Sequence, residues 1–232
     1  MSTVYPMTVP AERAVLGPGP RTRARRLAER ANYDREVVYS VLDEAFICHV
    51  GTLLDGEPVV LPTAYVRVDD AIYLHGAPAN ATLRRAVGTG SVCLTVTIVD
   101  GLVLARSAFH HSVNYRSVVV FGVASEVTSL DEKRRALEKL VEHIVPGRSR
   151  DARAPSEAEL KATALVRVDV LEASAKVRTG GPKDDPEDMV LTGTWAGELP
   201  FKFVPQTPVP DEQSARVAVP EYVLRYKRPS SA

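Results

Sequence analysis

Between two apolar runs, Leu102–Phe109 and Val118–Val123, the sequence places His110, His111, Ser112, Asn114, Tyr115, Arg116 and Ser117. A plain turn needs only one or two polar residues. A set combining imidazoles, a phenol, a guanidinium and hydroxyls suits a ligand that carries a ring and an anion. Adjacent strand residues point to opposite faces, so His110 and His111 could share a metal only where the chain bends. No third ligand has zinc-like spacing with them, and His49 and His143 are far away in sequence, so no metal site is expected. The flanking runs are rich in β-branched and aromatic residues without helical spacing, which predicts two strands joined by this polar connection.

The elements that must position these residues follow from the rest of the chain. Its 232 residues, 45% hydrophobic, suffice for a sizeable core. Lys plus Arg and Asp plus Glu both number 29, so no overall field favours nucleic acid or an anionic membrane. Arg21, Arg23, Arg25 and Arg26 form a short basic run that reads as a solvated face. Cys48 and Cys93 lie in apolar runs without metal spacing and are expected to be reduced core residues of a cytoplasmic protein. No apolar run approaches a membrane span, and a signal peptide is not recognisable. HExxH, Walker and G-x-S-x-G motifs are absent, and GTGSV and GPGPR lack a dinucleotide-binding frame.

Residues 1–20 are rich in Pro, Gly and small residues and read as an arm. Asp34 is a plausible N-cap for a helix whose stripe is Val37, Val38, Val41, Leu42 and Ala45. Strands follow over Phe46–Leu54, Val59–Val68 and Ala71–His75, with Asp55-Gly56 and Asp69-Asp70 as turns. Pro62 demands a sheet edge or a bulge, which would open the sheet beside Thr63. A helix over Ala79–Val87 ends at a glycine stop. Its first turn, with Asn80 and Thr82, could hold a phosphate through free backbone N–H groups or could be an ordinary capped crossover. Ser91–Val99 and Leu102–Phe109 are expected to form a hairpin about Asp100-Gly101. Ser129 with Glu132 and Ser156 with Glu159 open two further helices, and Val166, Val168 and Val170 alternate in a strand that continues through Lys176 and Arg178. Trp195 stands in a Gly/Pro-rich loop, as either a surface plug or a contact residue. Residues 203–232 form a Pro-rich tail. Antiparallel strands with few inserted helices indicate an α+β barrel, mainly β.

The order YDREVVYSVLDEA, CHVGTLLDGEPVVLPTAYVRVDDAIYLHGAPAN, LVLARSAFHHSVNYRSVVVFG, SAKVR and W-x-G-x-x-P resembles the flavin-nucleotide-binding proteins related to pyridoxamine 5′-phosphate oxidase, in particular the nitroimidazole-resistance branch. The resemblance covers roughly residues 20–202. It implies an FMN-binding split β-barrel of antiparallel, Greek-key type with peripheral helices over residues 21–202, built as a cytoplasmic homodimer with two flavin sites at the subunit interface.

On that resemblance Pro62, Thr63 and Ala64 run a backbone edge past the flavin ring, and LHGAPANATLRR, with His75, Gly76, Asn80 and Thr82, takes the place of the phosphate loop. The oxidase proper carries an Arg-Lys pair there, where this chain has Asn80-Ala81, so Arg116 with Ser117 is the candidate phosphate partner. Arg116 could equally be a strand-end salt bridge. Asn80 and Arg116 are expected to face one cleft. Tyr115 would wall the ring, Lys176 and Trp195 complete the set, and His75 is the candidate catalytic residue. The oxidase's C-terminal substrate signature is not recognisable, which argues against pyridoxamine phosphate as substrate. The implied activity is FMN-dependent reduction of a small electron acceptor such as a nitroaromatic, with an external reductant. Alternatives are a non-catalytic flavin store or sensor, or the same fold with haem or with a deazaflavin, for whose acidic tail the N-terminal arginines are the candidates.

Overall fold

A computed structural model describes residues 15–191 and 193–228. Most of the predicted arm, residues 1–14, and the last four residues of the predicted tail lie outside the described residues.

Two three-stranded meanders make the sheet. The first joins β2 (Ile47–Leu54), β3 (Glu57–Val68) and β4 (Ala71–Gly76), and the second joins β5 (Ser91–Leu104), β6 (Ser112–Glu126) and β7 (Ala164–Arg178). Pairing of β4 with β7 over six residues and of β2 with β5 over only His49–Gly51 closes these six strands into an antiparallel ring. Two short strands, β1 (Ala31–Asn32) and β8 (Gly197–Pro200), are added outside it on β7 and β5. The mainly β, α+β class read from the sequence is therefore the observed one.

Local chemistry explains the turns and caps. Asp55 and Gly56 both have positive φ, as a two-residue type I′ hairpin turn requires. Asp34, Asn80, Ser129 and Ser156 each accept a backbone N–H at the start of α1 (Arg35–Glu44), α2 (Ala81–Thr89), α3 (Leu130–Ile144) and α4 (Glu157–Lys161). A one-turn helix α5 (Glu221–Leu224) lies in the tail.

Period two sorts the strands. Val92, Leu94, Val96, Val118, Val120, Val166, Val168 and Val170 fill the ring's interior. Val38, Val41 and Leu42 of α1 join that core at the end where β6 begins, and Leu83 and Ala86 of α2 join it where β6 ends. Fully burying such side chains stabilises by roughly 1.5–3 kcal/mol each. The opposite face of β4 carries Ala71 and Tyr73 into a second cluster with Ala136 and Leu140 of α3.

Three expectations need correction. Asp100-Gly101 is not a hairpin turn: β5 runs straight through it with a bulge between Val99 and Gly101. The extra residue re-aims Asp100 towards Arg116. At Gly101 a Cβ would come within 2.7 Å of the Leu199 carbonyl oxygen, so glycine there admits β8 rather than turning the chain. Secondly, Tyr115, Arg116 and Ser117 are not in a connection but inside β6, paired with Val99, Ile98 and Thr97; residues 105–111 make the connection. Thirdly, Cys48 is a core residue whose thiol burial pushes up to about 12, but Cys93 is only half-buried, on the outer face of β5.

Pro62 has the predicted edge. Residues 57–64 of β3 pair with β2, β4 joins only from Tyr65 onward, and no strand among the described residues lies against the other side of 57–64. Proline has no donor to give the ladder, so Pro62, and Pro58 four residues earlier, turn their nitrogens to that free side. By alternation the Ala64 N–H and the Pro62 carbonyl also face outward there.

Candidate functional site

The predicted residues fall into two groups at different ends of the ring. Pro62, Thr63 and Ala64 lie where β3 parts from β4, next to His75 and Gly76 at the end of β4 and to Asn80 and Thr82 at the start of α2. Asn80 uses its side-chain oxygen to cap Leu83 N at 3.1 Å, and Thr82 is buried. Tyr115, Arg116, Ser117 and Lys176 lie together on β6 and β7, where Ser117 pairs with Lys176. The Ala124 N–H donates to the carbonyl of Gly90, which caps the C-terminus of α2, and Arg116 is eight residues from Ala124, about 26 Å of extended strand. One chain therefore does not place Asn80 and Arg116 on a common cleft, contrary to expectation. Trp195 is exposed in a third position, beside Gly197.

Arg116 sits on the interior face of β6, where α1 covers the ring. Its guanidinium forks onto two carboxylates: Nε and Nη2 donate to Asp100 at 2.9 and 2.7 Å, and Nη2 also donates to Glu44 Oε1 at 2.9 Å. Nη1 donates to Glu44 Oε2. Hydrogen bonds to Asp100 and then Glu44 hold its pKa above the ordinary arginine value. In this arrangement Arg116 is the strand-end salt bridge, and a phosphate brought to it would meet two negative charges.

A different cation is better placed for an anion. Arg178 is buried, and its described contacts are Asn114 and the carbonyls of Gly180 and Gly181 at 2.9 and 3.2 Å, with no carboxylate in direct contact. Asn114 in turn donates to Glu198 at 2.7 Å. The Arg178 Nε is buried without a hydrogen-bond partner. Burial, and then repulsion from Arg30, lowers its pKa. The β1–β7 pairing sets Ala31 against Lys176, so Arg30, Lys176 and Arg178 form one positive group beside Ser117 and Tyr115. The sequence signal was the Lys-Val-Arg triplet at the end of β7; what it could not show was that Arg178 would be buried with its nearest carboxylate, Glu198, held one residue away by Asn114.

His75 also carries an unsatisfied buried atom. Alternation along β4 puts Leu74 in the ring interior and His75 on the same outer face as Tyr73, beneath α3. There it borders a cavity of about 560 Å³ with Arg134, Leu137, Leu140 and Val141 of α3 and Ala152–Pro155. Its Nδ1 is buried and has no partner. This cavity was not legible in the sequence, because its far wall is the irregular segment after α3. His110, by contrast, is tied to a loop carboxylate, with Nε2 3.0 Å from Asp185 Oδ2, which raises its pKa. Asp188 completes a half-buried trio with them, a grouping across 78 residues that local spacing could not reveal.

Residues 34–177 match the pyridoxamine 5′-phosphate oxidase family, which is more than half of the chain. The chain belongs to that family. Among solved structures, the flavocytochrome Anf3 of Azotobacter vinelandii is 36% identical over 90% of this chain and 97% of its own, with a TM-score of 0.84. An FAD- and haem-binding protein of Mycobacterium smegmatis is 32% identical over 84% of this chain and 96% of its own, with a TM-score of 0.77. A Bacteroides thetaiotaomicron protein described as a candidate 5-nitroimidazole resistance protein is 24% identical over 63% of this chain and 86% of its own, with a TM-score of 0.55, and shows the shared fold. No curated protein sequence matches the chain. Among the described residues no helix is long and apolar enough to cross a membrane.

Proposed function

We propose that this protein is a flavin-dependent redox protein that acts as a homodimer and carries haem as a second redox group. The reading rests chiefly on one observation: two relatives above 30% identity, each matched over nearly its whole length, are named for a flavin and a haem function. Two features of the chain support it. The open edge of β3 offers the Ala64 N–H and the Pro62 carbonyl to the polar rim of a flat ring. The Arg30, Lys176 and Arg178 group offers guanidinium and ammonium donors to a phosphate or pyrophosphate. A dimer would bring the first group of one subunit to the second group of its partner, which one chain alone keeps apart. Exposed Ile47, Leu53, Val60 and Leu61 on the β2–β3 hairpin are the apolar surface such a dimer would cover.

FMN, the flavin implied by the sequence resemblance, and FAD, named for the Mycobacterium smegmatis relative, share the ring and first phosphate, and the site is compatible with both. When bound, the flavin supplies hydride and single-electron chemistry; the chain's part is to fix the ring's edge and neutralise its phosphate. The redox partner is a small-molecule electron acceptor, and we place the reaction in the cytoplasm. A nitroaromatic acceptor draws support only from the resemblance, since the nitroimidazole-related neighbour shares the fold at 24% identity.

The test is the mass of the small molecules released from denatured, purified protein, followed by anaerobic reduction with NADH or NADPH. A flavin that is reduced and then reoxidised by an added acceptor supports the reading. Protein that releases no flavin and takes up neither FMN nor FAD overturns it.

A further inference from the structure

We propose that the cavity beneath α3 is the haem pocket and that His75 is the axial ligand of its iron. The proposal rests on the flavin-and-haem reading above and goes beyond it by assigning the site. Haem iron is commonly held by a histidine nitrogen in an otherwise apolar cleft, so each of the chain's five histidines can be weighed on its own surroundings. His49 is exposed on the β2–β3 hairpin. His110 is taken by Asp185, His111 Nδ1 lies 3.0 Å from the Ser107 carbonyl, and His143 Nε2 lies 2.8 Å from the Ala45 carbonyl. His75 alone borders the 560 Å³ cavity and has a buried nitrogen with no partner among the described residues. A nitrogen left dry and unbonded is costly, so a ligand towards which the ring turns to satisfy it stabilises the site.

The remaining walls suit the macrocycle. Leu137, Leu140, Val141 and Pro155 provide the apolar sides. The volume falls within the range of roughly 300–1,000 Å³ usual for cofactor clefts. Arg134 reaches the rim, where its Nη1 donates to the Pro155 carbonyl at 3.3 Å, and it is the cation available to a propionate. Arg153, also on the rim, is exposed and paired with Glu159 at 2.7 Å, so it is a weaker candidate. The cavity is bounded by α3 and β4, whereas the open edge that would meet the flavin belongs to β3, so the two cofactors would occupy neighbouring, separate places around β4.

The experiment uses the full chain, purified with its flavin and titrated with haemin, followed through the Soret band and by flavin absorbance. The parent is expected to bind one haemin per chain with the spectrum of a histidine-ligated haem. His75→Gln should shift the Soret band and weaken haemin binding ten-fold or more while keeping its flavin. Leu137→Trp, which fills the cavity without touching a ligand, should also lose haemin binding, and it keeps the test valid if His75→Gln folds poorly. Haemin binding by both variants with the parental spectrum and affinity overturns the site. A parent that holds flavin but binds no haemin overturns it too while leaving the flavin reading intact; loss of flavin binding in the parent is the separate failure of that reading.

Discussion

At the scale of single residues, charge compensation separates the two arginines that β6 and β7 carry on opposite faces. Removing Arg116 takes the shared guanidinium from Glu44, a buried carboxylate, and from Asp100. Breaking a buried pair from one side costs about 3 kcal/mol or more. Arg116→Ala should therefore lower the denaturation midpoint clearly while leaving the ratio of flavin to protein unchanged, read by thermal unfolding and by absorbance. Arg178→Gln should do the reverse, with flavin retention falling ten-fold or more and a smaller loss of stability, because no carboxylate loses its direct partner. Equal flavin retention in Arg178→Gln and the parent would remove Arg178 from the phosphate site. Sequence alone left Arg116 open between phosphate contact and salt bridge. The deciding residue, Glu44, lies 72 positions away at the end of α1, where the helical stripe gives no hint of an ionic partner.

At the scale of elements, the hydrophobic periods and caps were legible because they are local: the α1 stripe, the Asp55-Gly56 turn and the alternation of Val166, Val168 and Val170 each lie within a few residues. Asp100-Gly101 carries the same turn signal, yet pairing on both sides of β5 overrides it. Gly101→Ala would drive a methyl into the Leu199 carbonyl, an overpacking worth about 1–3 kcal/mol. The expected result is release of β8, seen as faster amide exchange at Phe201, whose N–H donates to the Asp100 carbonyl at 2.9 Å. A second element-scale device closes α3. Glu142 accepts from Gly147 N at 2.6 Å and Ser149 N at 2.9 Å, and these bonds, the Gly147 one first, hold its pKa down at about 2 from the usual 4.5. A depressed carboxylate stabilises fully above its unfolded pKa and loses that contribution as pH falls towards the folded one. The stability gap between the parent and Glu142→Gln should thus be constant above about pH 5 and shrink between roughly 4.5 and 2, measured by thermal melts across pH. Because Ser149 borders the His75 cavity, the same acid range should loosen that wall.

At the scale of the whole molecule, the ring is sealed unevenly: β4 and β7 share six residue pairs, whereas β2 and β5 share three. Beyond that short seam the β2–β3 hairpin projects with Ile47, Leu53, Val60 and Leu61 exposed. If a second copy covers this surface, Leu61→Glu should shift the protein from dimer towards monomer in sedimentation and lower flavin retention in parallel. A monomer that keeps its flavin would separate the site from the interface. That antiparallel strands close on themselves was readable from sequence, but which strands close the ring was not, since the pairings that seal it join residues 42 or more apart in the chain, such as Gly51 with Cys93 at 42 and His49 with Thr95 at 46.

The free side of β3 also bears on what happens when the protein is stripped and concentrated. A bare strand margin invites a neighbouring chain to add itself and start a fibril. Of the four amides turned outward between residues 58 and 64, the prolines at 58 and 62 supply none, so only Val60 and Ala64 can recruit an incoming strand. Replacing both prolines with valine would convert a margin that rejects growth into a seed for it, and the tendency of the apoprotein to precipitate should rise accordingly.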